Sequence, residues 1–177
     1  MSNVPRADAR STQAQSDLAT ALHRVHPELV WGLAPPRDES SRWTIEISAG
    51  GLKGMIPTVQ SLVQAAPDMS GWRVAAFKQP MPDFEVLLGA AKEKVDSSCV
   101  MVHPKPVADG KYDLDVFLPT PAGFPKTKLA ELGFIFLDHI LGEYAVMTRI
   151  GELTFDSTLV APPGVISIAE FGASLGS

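Results

Sequence analysis

Arg42-Trp43-Thr44-Ile45-Glu46-Ile47-Ser48-Ala49-Gly50-Gly51-Leu52-Lys53-Gly54 is the stretch on which the fold turns. Trp43, Ile45 and Ile47 alternate with Thr44, Glu46 and Ser48, the period of two expected of a half-buried strand. Gly50, Gly51 and Gly54 then permit positive φ and break it. Ile56, Val59, Leu62 or Val63, and Ala66 recur at helical spacing, and Pro57 sits in the first turn, where its missing amide hydrogen costs nothing. Pro67 stops that helix, Asp68 to Gly71 turn the chain, and Trp72 to Phe77 read as the next strand. A strand, a helix and a strand in such close succession predict a parallel pair with a crossover connection.

Outward from this unit, Thr12 and Gln15 have capping-box spacing ahead of Leu18, Ala21, Leu22 and Val25, which predicts a helix over 13–25 ended by Pro27. Leu29 to Trp31 return to the core, and 34–41 form a surface loop. Phe84 to Leu88 read as strand and 90–95 as a helical turn. Ser98 to His103 and Lys111 to Leu118 read as a hairpin turned by Asp109-Gly110. The longest predicted helix, 126–141, gathers Leu129, Leu132, Gly133, Phe136, Leu137 and Ile140 on one face, with Lys128, Glu131 and Asp138 opposite and Gly142 as its C-terminal cap. Tyr144 to Ile150 and Glu152 to Leu159 are strand-like, joined or bulged at Gly151. Ser167 and Glu170, with Ile166 and Phe171 as a hydrophobic staple, predict a closing helix over 168–175.

This order predicts an α+β fold: a two-layer sandwich of a mainly antiparallel sheet with helices on one face, built on a decorated ferredoxin-like core. Residues 1–11 read as a disordered arm and 12–177 as a single domain, within the usual size of one. Hydrophobic residues at 45% and charged residues at 20% are ordinary globular values. A net charge of −5 with scattered Lys and Arg argues against nucleic-acid binding. No apolar run reaches the roughly 20 residues of a membrane helix. The polar first residues lack the apolar core of a leader, and the single Cys99 suits a reducing compartment, so the expected setting is cytoplasmic.

Two groups of residues invite chemistry. Gly50, Gly51, Lys53 and Gly54 would aim amides, a helix N-terminus and an ammonium at a small anion, although they match no phosphate-loop pattern and a tight turn explains them as well. His139 and Glu143, four apart beside Asp138, could form a buried acid–base pair. Alternatively His139 faces the negative end of its helix while Glu143 begins the next strand. Cys99 and His103 share one face of the predicted strand about 13 Å apart, at about 3.3 Å per residue, too far for a dyad, so Cys99 reads as a buried structural thiol. His23 and His26 read as a solvated helix end, and Asp113 and Asp115 as a solvated strand face. No metal or other cofactor is expected.

The stretches Ala66-Pro67-Asp68-Met69-Ser70-Gly71-Trp72 and Leu137-Asp138-His139-Ile140-Leu141-Gly142-Glu143-Tyr144 resemble a group of uncharacterised bacterial proteins, domains of unknown function, over roughly residues 42–160. The resemblance implies a shared fold and carries no activity. The leading expectation is a non-enzymatic module that binds another protein, regulatory and of the immunity type. The alternative is a small anionic-ligand binder or enzyme built on the Gly50–Gly54 loop with Lys53.

Overall fold

The computed structural model describes residues 9–36, 38, 42–81, 83–88, 93–121, 124–157 and 162–176. The fold is α+β with mainly antiparallel sheets. The chain divides into two compact units, Met1–Ala76 and Phe77–Ser177, where the sequence reads as one domain. Its described strands are distributed over three sheets and not one.

In the first unit, helix α1 (Ala9–Val25) leads into strand β1 (Val30–Ala34). Strand β2 (Trp43–Ser48), a short 3₁₀ turn at Lys53–Met55, helix α2 (Ile56–Gln64) and strand β3 (Trp72–Ala76) follow. Strand β2 pairs antiparallel with β1 and parallel with β3, so the predicted strand–helix–strand crossover is present. Trp43 and Trp72 face each other in that register, ring centroids 6.1 Å apart. Helix α1 starts at Ala9, so Thr12 is an interior helical residue and not a cap. The arm expected over 1–11 falls partly outside the described residues, and 9–11 are helical. Thr44 and Ser48 are buried along with Ile47, so β2 is covered on both sides and its alternation overstates its exposure.

In the second unit, β4 (Glu85–Leu88) and β5 (Glu93–Asp96) pair antiparallel as a sheet of their own, so 93–95 are strand where a helical turn was expected over 90–95, and 90–92 lie outside the described residues. Strands β6 (Met101–Pro106), β7 (Tyr112–Leu118), β8 (Ile150–Ser157) and β9 (Ile166–Ser167) form a sheet in the order β8-β7-β6-β9. Strands β7 and β8 are parallel and directly adjacent, whereas a ferredoxin-like core would interleave another strand between them. Their register shifts between Tyr112 and Leu114, a bulge beside Gly151. Val102, Leu114, Val116 and Leu118 point to one face and form a core with Leu129, Leu132, Phe136 and Leu137 of helix α3 (Lys126–Leu137) and with Phe171 of helix α5 (Ile168–Leu175). Each such side chain contributes about 2 kcal/mol of burial. The Ser167 hydroxyl accepts the Glu170 amide at 3.1 Å, the expected cap of α5. The opposite sheet face carries His103, Lys105, Asp113 and Asp115.

The largest departure from expectation lies between α3 and β8. Helix α3 runs into a π turn (Asp138–Gly142), and Gly142, at φ 83°, ends it as expected. The chain then restarts as helix α4 (Glu143–Arg149), so Glu143 opens a helix and Tyr144 to Arg149 are not strand. The cause is tertiary: Glu143 and Met147 are buried, and the helix buries both, overriding the strand preference of Tyr144, Val146 and Thr148.

Candidate functional site

The glycine loop belongs to the first unit, and His139 and Glu143 belong to the second. Gly50 and Gly51 take φ of 60° and 80°, which only glycine adopts at little cost. A Cβ on Gly50 would also come within 3.1 Å of the Glu28 carbonyl, whereas one on Gly51 or Gly54 would meet nothing within 4 Å. The Gly50 amide donates to Ser48 Oγ at 3.1 Å, and the Leu52 amide donates to Ala49 O at 3.1 Å. Two amides that an anion would need are therefore committed to the turn. Lys53 is exposed.

Around the π turn the second unit assembles a tight group. Phe77, buried, adopts φ 67°, a conformation that costs a bulky residue about 1–2 kcal/mol. Its ring packs on Tyr144 at 5.4 Å between centroids. The Lys78 amide donates to Glu143 Oε2 at 3.2 Å, and the Glu143 amide returns to Lys78 O at 3.1 Å. Lys78 Nζ meets Asp138 Oδ2 at 2.8 Å. The Met81 amide donates to His139 O, and a Cβ on Gly142 would stand 3.0 Å from the Pro80 ring. His139 Nδ1 bonds Ile135 O at 2.8 Å, and since a carbonyl only accepts, that nitrogen carries the proton. Its ring stacks on Phe84 with centroids 4.0 Å apart. Glu143 and His139 thus each hold a backbone partner, and Glu143 clamps the Phe77–Met81 segment on the π turn.

The solvent side of α3 and β8 presents a different surface. Phe134 is 46% exposed and Ile135 is 41% exposed, on the side of α3 that also carries Glu131 and Asp138. Phe134 lies against half-exposed Phe155 of β8, centroids 5.4 Å apart. A Cβ on Gly133 would collide with the Phe155 ring, so the glycine seats that ring against the helix. Among the described residues, strand β8 is an edge of its sheet. Glu152, Thr154 and Asp156 alternate with Leu153 and Phe155 along it, and their side chains are exposed. Neither the Glu152 nor the Asp156 carboxylate has a partner among the described residues. Helical spacing hides Phe134 and Ile135 among polar neighbours, and their signal in the sequence is large apolar side chains on the wrong side of an amphipathic helix.

Next to this edge, Asp115 Oδ2 meets Lys105 Nζ at 2.7 Å and His103 Nδ1 at 3.7 Å, and Asp115 Oδ1 accepts the Thr154 hydroxyl at 2.7 Å. The Lys105 ammonium, then the Thr154 hydroxyl, hold the Asp115 carboxyl below the usual range. Asp113 Oδ1 accepts the Glu152 amide at 2.7 Å. Both aspartates pin β7 to its neighbours and are not merely solvated. Cys99 is exposed, contrary to its reading as a buried thiol, because Ser97 to Cys99 form a turn ahead of β6. His26 Nδ1 accepts the Glu28 amide at 3.2 Å beyond the end of α1.

Two open grooves lie among the described residues of the first unit. One, about 410 Å³, is lined by Val25, Pro57, Thr58, Ser61, Leu62 and Ala65. The other, about 270 Å³, lies beside the Arg42–Asp68 pair, whose atoms are 3.3 Å apart on exposed side chains. Among the described residues no group of His, Cys, Asp and Glu is placed to hold a metal ion, and no helix is long and apolar enough to cross a membrane. No known family model, curated protein or solved structure matches the chain.

Proposed function

We propose that the chain is a protein-binding module, regulatory and of the immunity type, whose contact surface is formed by Phe134 and Ile135 of α3 with Phe155 of β8. The observation that carries this reading is Phe134, exposed on a helix whose inner face is already filled and packed on a second half-exposed aromatic. Exposed aromatics of this kind are the residues that anchor protein interfaces. The acidic balance of −5 favours a partner with a basic rim, and the exposed thiol of Cys99 fits a reducing, cytoplasmic setting. The anion-binding reading of Gly50, Gly51, Lys53 and Gly54 has less beneath it, since the Gly50 and Leu52 amides are engaged within the turn.

The test is quantitative capture of a partner from cell extract by the immobilised chain, compared with Phe134→Asp at matched melting temperature. Burying an anchor aromatic is worth about 2 kcal/mol, so the variant should bind the partner about 30-fold more weakly. Equal capture by both would overturn the assignment of the surface.

A further inference from the structure

The exposed edge of β8 continues the surface just described, and its chemistry defines an occupant. Strand β8 (Ile150–Ser157) is bonded to β7 on one side, and among the described residues its other edge pairs with no strand. An edge strand turns alternate N–H and C=O groups outward in the spacing of a β ladder, a template for one more strand. On one side of that template stand Glu152 and Asp156, exposed carboxylates without a cationic partner among the described residues. On the other stand Leu153 and Phe155, half-exposed, with Phe134 of α3 above Phe155. Asp115, also on the acidic side, is already neutralised by Lys105.

We infer that β8 accepts an extended segment of a partner protein as an added strand, the segment alternating basic and apolar side chains. Its backbone completes the ladder along β8. Its basic side chains lie beside Glu152 and Asp156, and its apolar ones lie beside Leu153 and Phe155 and reach Phe134. The alternation follows from the period of two: neighbours on an added strand meet opposite faces of the sheet, and those faces differ in charge. The inference rests on the protein-binding reading above and specifies the partner's chemistry.

The probe is a capped peptide of alternating lysine and valine, matched in length to β8, and its counterpart with glutamate in place of lysine. Both are titrated into the full chain at low salt while amide NMR shifts and hydrogen exchange are followed. The lysine peptide should slow exchange of β8 amides, and the glutamate peptide should not. Reversing both charges with Glu152→Lys and Asp156→Lys, which alter exposed side chains, should weaken binding about tenfold with the melting temperature kept. Equal binding of the two peptides, or binding that leaves β8 exchange unchanged, would overturn the inference. Concentration-dependent protection of β8 without peptide would overturn it in favour of a second copy. Failure of the peptide while Phe134→Asp still weakens partner capture would refute strand addition and leave the contact surface standing.

Discussion

At the scale of single residues, the structure depends on positions where one atom decides what fits. Gly133 is such a position, because the Phe155 ring occupies the space of its absent Cβ. Gly133→Ala should cost about 1–3 kcal/mol by overpacking, read as a lower melting temperature, and should displace Phe155 and Phe134 together. Glu143 is buried, yet its Oε2 accepts the Lys78 amide. Glu143→Ala would leave that amide without this acceptor and should cost about 1–3 kcal/mol in denaturant melts, while Glu143→Gln keeps an acceptor oxygen and should cost less. Asp115 gives a pH dependence. Its carboxyl is depressed in the folded chain by Lys105 and Thr154. Its contribution is therefore present above the unfolded value of about 3.9 and is lost as pH falls through the lower folded value. Asp115→Asn should thus destabilise the chain at neutral pH by about 1 kcal/mol or less, and the difference should shrink in urea melts as pH falls below the unfolded value.

At the scale of elements, the readable parts are those in which local pattern and tertiary demand agree. Strand β2, helix α2 and strand β3 follow the order predicted from Trp43 to Phe77, because each carries its own apolar period and its own breaker. The capped helix α5 is legible for the same reason, with Ser167 placed to take the Glu170 amide. Helix α4 was not legible. Tyr144, Val146 and Thr148 favour strand locally, and what makes them helical is the burial of Glu143 and Met147 after the Gly142 reversal. The π turn is likewise set by long-range partners, the Lys78 carbonyl and the Pro80 ring, which no spacing reveals. Of the candidate residues, His139 and Glu143 were legible as a polar group at a helix end, but their partners were not. Phe134 and Phe155 become a surface only once α3 and β8 are side by side. Gly142→Ala tests the π turn: the positive φ and the approach to Pro80 at 3.0 Å should together cost about 1–3 kcal/mol, seen as earlier thermal unfolding.

Across the whole molecule, the proposed binding surface belongs to the second unit, Phe77–Ser177. There the helices fill one sheet face, Lys105 and Asp115 pair on the other, and Phe134 is exposed beside a β8 edge that pairs with no strand among the described residues. The first unit contains the crossover and the glycine turn, whose Gly50 and Leu52 amides serve the turn itself. Whether β8 and the outer side of α3 meet a protein partner, as we propose, is decided by hydrogen–deuterium exchange of the chain alone and with its captured partner. Under this proposal exchange slows over Ile150–Ser157 and around Phe134 and Ile135, with the Gly50–Gly54 loop unchanged. Protection confined to that loop, with β8 exchanging as in the free chain, would contradict it.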